Sequence, residues 1–166
     1  AMERDLPRIV FDGAHNLSGI TALAAAMDRY FTGGRVHVLM GMLADKTYAQ
    51  CIPKIAARAS RFAALAPRSP RALPAAECAA CAAPVCADSR AFSDFDQALC
   101  FALDGLAAGD TLLICGSLYL IADMRRIVFA RLGTSEDEEG DTRETQGETM
   151  DSARQAGAGK GAKNAD

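Results

Sequence analysis

The chain of 166 residues is half hydrophobic and 23% charged, with a net charge of −3. That composition builds one globular domain with a buried core and excludes a chain disordered throughout. No apolar stretch approaches the roughly 20 residues that span a bilayer, and no basic, apolar start reads as a secretory signal, so a cytoplasmic protein without a membrane partner is expected.

The charge is unevenly held. Residues 134–166 carry nine acidic and four basic residues, and residues 1–133 carry twelve and fourteen. The folded part is therefore nearly neutral and its arginines are dispersed. No basic stripe with interleaved aromatics marks a nucleic-acid reader.

Arg8–Phe11 is a short β-branched and aromatic run that stops at Asp12-Gly13, which predicts a strand and a turn. Ile20, Leu23, Ala24, Met27 and Phe31 follow helical spacing up to Gly33-Gly34. Val36–Leu43 reads as a buried strand that leaves into Ala44-Asp45-Lys46. Tyr48, Ile52, Ile55 and Ala59 make a second helical face, which Pro53 is expected to bend or shorten. Arg61–Ala66 predicts a third strand, closed by the loop Pro67–Pro74, and the alanine-rich Ala75–Ala83 a helix. A weak strand is expected at Val85–Ala87. After Asp94, the residues Phe95, Leu99, Ala102 and Leu106 keep helix spacing. Thr111–Cys115 is a fully apolar strand, and Gly116-Ser117 turns into a last helix through Ile121, Met124 and Val128. Strand and helix alternate throughout. The expected fold class is α/β, a Rossmann-like, mostly parallel sheet with helices on both faces. From Thr134 onward apolar periodicity is absent, so a domain over 1–133 and a disordered acidic tail over 134–166 are expected.

Of the six cysteines, Cys51, Cys100 and Cys115 sit in apolar periodic segments, where a free thiol acts as a small hydrophobe in a reducing compartment. Cys78-x-x-Cys81-x4-Cys86 has metal-like spacing. It lacks a second pair and a nearby histidine, whereas zinc takes four ligands, so no metal site is expected.

In an open α/β sheet, ligands bind beyond the carboxyl ends of the strands. Three polar clusters stand there: Asp12-Gly13-Ala14-His15-Asn16, Asp45-Lys46 and Gly116-Ser117. Neighbouring helix N-termini add free N–H groups and partial positive charge, which suit a phosphate or a carboxylate. Each cluster also fits a plain reading. Asp12-Gly13 can be a turn, Asn16 or Ser18 a helix cap, His15 a surface residue, Asp45-Lys46 a solvated charge pair and Ser117 an N-cap. His37, inside an apolar strand, is expected to be a packed core residue. The sequence holds no Walker loop, no Gly-x-Gly-x-x-Gly turn and no Gly-x-Ser-x-Gly elbow. A Cys115–His15 nucleophile–base pair is disfavoured because Cys115 belongs to the apolar run.

Phe11-Asp12-Gly13-Ala14-His15-Asn16, then Gly41-Met42-Leu43-Ala44-Asp45-Lys46, then Cys115-Gly116-Ser117-Leu118-Tyr119, resemble in order and spacing the C-terminal domain of folylpolyglutamate synthase/dihydrofolate synthase, the folate branch of the Mur ligase superfamily. Pro67–Leu73 is similar to that family's loop after the third strand. The resemblance covers residues 2 to about 132. Asp-Gly-Ala-His-Asn alone is shared more loosely with peptidoglycan-building ligases, and Gly-Ser-Leu-Tyr narrows the resemblance to the folate branch.

The resemblance implies an ATP-dependent ligase that joins glutamate to a folate or dihydropteroate carboxylate. It implies that Asp12 holds the nucleotide through its ribose, that His15 lies near the phosphates or the incoming glutamate, and that Ser117 helps bind a glutamate carboxylate. Charge alone adds Lys46. ATP and Mg²⁺ are the implied cofactors, with the Mg²⁺ ligands and the P-loop in an N-terminal ATPase domain as partner. The family's Pro-Gly-Arg motif is missing before Met2-Glu3, so an excised domain, inactive alone, is expected. A stand-alone nucleotide- or metabolite-binding module is the alternative.

Overall fold

The computed structural model describes residues 6–133. The tail expected over 134–166 lies outside the described residues. Among the described residues five strands and five helices alternate: β1 (Arg8–Asp12), α1 (Leu17–Tyr30), β2 (Val36–Met40), α2 (Tyr48–Ala56), β3 (Arg61–Ala64), α3 (Ala75–Ala82), β4 (Ser89–Ala91), α4 (Phe95–Leu103), β5 (Thr111–Cys115) and α5 (Leu118–Leu132). The strands form one parallel sheet in the order β1-β5-β2-β3-β4. This is the α/β class that the alternating pattern predicts.

The two most apolar strands, β2 and β5, lie inside the sheet and are buried along their whole length, whereas the edge strands β1 and β4 are only partly covered. Successive side chains of β2 and β5 alternate between two cores. Val36, Val38, Met40, Leu113 and Cys115 pack with α1, α2 and α3. Leu39, Leu112 and Ile114 pack with α4 and α5. Caps start three helices: Asn16 accepts Gly19 N–H at 2.8 Å, Asp94 accepts Gln97 N–H at 2.8 Å, and Ser117 accepts Tyr119 N–H at 3.2 Å.

Several boundaries differ from expectation. The fourth strand is at Ser89–Ala91, not Val85–Ala87. Val85 and Cys86 instead donate to Ala82 O, continuing the turn that ends α3, and pairing with β3 starts where Phe62 donates to Asp88 O. β2 ends at Met40 rather than Leu43, since beyond it the chain leaves the parallel ladder: Met42 O accepts Leu73 N–H at 2.9 Å and Leu43 forms an antiparallel bridge with Ala72. Ala59 and Leu106 lie beyond the ends of α2 and α4, although Pro53 remains inside α2. Cys100 was expected to pack as a hydrophobe but is exposed, because Ala98, Leu99 and Ala102 are the residues of α4 that face the core. His37 is buried as expected. Its Nδ1–H donates to Ala102 O at 2.8 Å, satisfying a carbonyl in the last turn of α4.

Candidate functional site

The strand order itself opens the site. β1 feeds α1 on one face, its neighbour β5 feeds α5 on the opposite face, and β2, on the other side of β5, feeds α2 back on the first. Chains leaving adjacent strands toward opposite faces part from one another, which opens a crevice at their carboxyl ends. Asp12, Cys115 and Met40 stand at one level across the three strands. The next residues, Gly13, Gly116 and Gly41, form the floor of the rim.

Gly116 joins the three loops. Its N–H donates to Ala14 O at 3.1 Å, and Gly41 N–H donates to Cys115 O at 3.4 Å. Gly116 has a φ of +105°, and any Cβ there would run into the Gly41 carbonyl. Only glycine combines that conformation with that approach.

Within the first loop, Asp12 Oδ1 accepts Ala14 N–H at 2.8 Å, which leaves Oδ2 to accept from a ligand. His15 Nδ1 lies 2.8 Å from Gly13 O. A carbonyl can only accept, so Nδ1 carries a proton in this contact and Nε2 is left free for a ligand. Asp12 and His15 are both half-buried. Ser117 is buried, with its Oγ accepting from Tyr119 and its hydroxyl proton left to donate. Leu118, which is exposed, lies over the Asp12-Gly13 turn, 3.0 Å from where a Gly13 Cβ would stand.

The structure thus brings Asp12, His15 and Ser117 onto adjoining loops. Lys46 lies further along the third loop, half-buried, with its N–H donating to Leu43 O at 3.3 Å. Asp45 and Lys46 do not form a pair. Asp45 Oδ2 is met by Arg71 Nη1 at 2.8 Å instead. Arg71 belongs to the family-like loop Pro67–Leu73, but nothing in the residue order gives it a role at the rim. Its place follows from the pairing of Met40 with Ala64, which sets the loop after β3 beside the loop after β2.

Cys115 is fully buried, and burial, with smaller contributions from the nearby Asp12 carboxylate and Cys78, pushes its thiol far above the ordinary range. Such a thiol is no nucleophile. Burial likewise pushes the Cys78 thiol up to about 12, with Cys81 adding to the shift. Among the described residues, no three His, Cys, Asp or Glu side chains are grouped to hold a metal ion. No helix among them is long and apolar enough to cross a membrane.

Residues 2–118 match the family described as the Mur ligase, glutamate ligase domain. The chain belongs to this family. Its Mur ligase domain is related to folylpolyglutamate and dihydrofolate synthases. It is 32% identical over 122 residues to the dihydrofolate synthase/folylpolyglutamate synthase of Bacillus subtilis, an alignment that covers 72% of this chain and 27% of the relative. The structure of E. coli FolC in complex with DHPP and ADP superposes with a TM-score of 0.68 at 28% identity, over 76% of this chain and 30% of that one. The bifunctional synthase of Yersinia pestis complexed with AMPPNP and Mn ion gives a TM-score of 0.60 at 26% identity, over 75% and 28%. The chain spans less than a third of the length of these relatives.

Proposed function

We propose that this Mur ligase domain is the C-terminal part of an ATP-dependent ligase that adds glutamate to dihydropteroate or folate. In that reaction the acceptor carboxylate takes the γ-phosphoryl group of ATP and releases ADP. The glutamate amine then attacks the acyl phosphate, and phosphate leaves with loss of a proton. The task of the protein is to hold two anions and a nucleotide in line while charge builds on the transferring group.

The observation that supports this reading is the meeting of the Asp12–Asn16 and Gly116–Ser117 loops at one crevice, tied through Gly116 to Ala14. Asp12 Oδ2 accepts from a ribose hydroxyl. His15, its ring fixed through Nδ1, presents Nε2 to the phosphates or the incoming glutamate. Ser117 donates to a glutamate carboxylate, aided by the partial positive charge at the start of α5. Lys46 adds a full positive charge beside the same rim. ATP and Mg²⁺ are held chiefly by an N-terminal P-loop ATPase domain, the partner this reading requires, and the 166-residue chain is inactive alone.

The test is ligation by the whole enzyme from ATP, dihydropteroate and glutamate. Ser117→Ala and His15→Ala each lower the rate by roughly 10- to 100-fold, the loss expected for one hydrogen bond to a charged group. Unchanged rates in both variants overturn the site. Product formed by the chain alone overturns the need for the ATPase domain. An immunoblot of source cells showing a native band no heavier than 17.5 kDa supports a stand-alone binding module instead.

A further inference from the structure

Asp45 and Lys46 are adjacent in sequence, yet the fold keeps their charges apart. The cation that meets Asp45 is Arg71, 26 residues away. Arg71 is held for that contact by the backbone around it. Its carbonyl accepts Ala44 N–H at 2.7 Å, and Leu73 N–H donates to Met42 O at 2.9 Å. Between them Leu43 and Ala72 form an antiparallel bridge. The other end of the segment is fastened to different helices: the Arg68 guanidinium lies 4.8 Å from the centre of the Phe95 ring and 3.6 Å from Asp123 of α5. Among the described residues, no carboxylate lies within 4.0 Å of the Lys46 ammonium.

We infer that Arg71 is a positioning residue that draws the Asp45 carboxylate away from Lys46, so that the Lys46 charge stays available to an anion at the rim. The identity of that anion rests on the proposed function. The charge arrangement does not. Arg71 and Asp45 side chains are both about half exposed (54% and 46%), so the pair is solvated and its loss produces a graded change.

The experiment needs no ligand. The full chain is treated with a trace of an acetylating ester, and the rate at Lys46 is read by peptide mass spectrometry with Lys54 as internal reference. In Arg71→Ala the freed Asp45 stabilises the Lys46 ammonium, and the rate falls about two- to fivefold, the range an exposed ion pair supplies. In the Asp45→Asn/Arg71→Ala double variant the competing carboxylate is gone and the rate returns to wild type. Arg71→Lys keeps the wild-type rate, because a single Nη1–Oδ2 contact asks only for a point charge. A mere clamp on the loop gives another pattern: both variants that lack Arg71 leave the loop unlatched, so the double is no better than the single. An unchanged rate in Arg71→Ala, or a double variant as slow as the single, overturns the inference. If the series behaves as expected but ATP and glutamate fail to protect Lys46 in the whole enzyme, the inference stands and the role of Lys46 in the proposed function falls.

Discussion

Gly116→Ala is the most informative single change, because two separable costs meet at this residue. The first is conformational. A φ of +105° lies in the region that L side chains avoid, and an alanine held there loses about 1–2 kcal/mol. The second is steric. The new Cβ runs into the carbonyl of Gly41, a backbone group that cannot rotate aside. Gly116 cannot retreat either, since its N–H is bonded to Ala14 O at 3.1 Å. Overpacking of this kind costs about 1–3 kcal/mol more.

Gly33 is the natural control, with a φ of +93° and no atom within 4 Å of its Cβ position. Gly33→Ala therefore loses the conformational part alone. Urea unfolding of the full chain, followed by far-ultraviolet circular dichroism, is expected to show Gly116→Ala about 2–5 kcal/mol less stable than wild type, and Gly33→Ala about 1–2 kcal/mol, with similar m values. Against the 5–15 kcal/mol typical of a native domain, the first loss is large enough to move the midpoint clearly. If the two variants agree within about 0.5 kcal/mol, the close approach of the β5 and β2 loops does not constrain the rim, and the steric argument is wrong.

Three further outcomes follow from buried and paired groups. Burial lowers the His37 pKa from 6.5, so the folded state favours the neutral ring; its contribution is complete above that value and is lost as pH falls toward the depressed one. Between pH 6.5 and 5, His37→Gln should therefore lose less stability on acidification than wild type, and equal slopes would rule this out. The Asp110 carboxyl is held below 3.8 chiefly by the Ala107 and Arg35 backbone N–H groups, with the Arg35 guanidinium adding to the effect. Its stabilisation is present above pH 3.8 and disappears as pH falls through the lower folded value, so Asp110→Asn has a lower urea midpoint at pH 7 and converges with wild type in acid. Among the thiols, exposed Cys100 should react with a disulfide reagent in the folded chain, while buried Cys51, Cys78, Cys86 and Cys115 stay silent until urea is added. Prompt release of more than two equivalents would contradict the burial of these four.

Much of the placement of the candidate site is legible from residue order. Polar residues that follow apolar strands at their carboxyl ends mark Asp12, His15, Lys46 and Ser117 as candidates because ligands of an open parallel sheet bind beyond those ends. The same sequence leaves the function of each open, since Asn16 and Ser117 are also helix caps and Asp12 also closes a turn. For a different reason, the contact with Asp45 is not legible at Arg71. Nothing within ten residues of it announces a partner, and Asp45 reads most simply as the neighbour of Lys46. The fourth strand is displaced because the alanine-rich stretch before it carries weak periodicity, so a shift of a few residues costs little in pattern. Cys100, by contrast, is exposed because it lies off the Leu99 and Ala102 face of α4.

The sequence by itself determined the alternation of strand and helix, the burial of the strands that begin at Val36 and Thr111, and the helix starts after Asp94 and Ser117, and left Asn16 or Ser18 as the cap of the first helix. These are local properties, written by backbone geometry at a period of two or of about 3.6 residues. Only the tertiary structure decided that β5 lies between β1 and β2, that Gly116 ties their three loops together, that His37 meets Ala102 and that Asp45 meets Arg71. Those choices depend on which apolar faces bury one another and on strand register, which couple residues dozens of positions apart and leave no periodic trace along the chain.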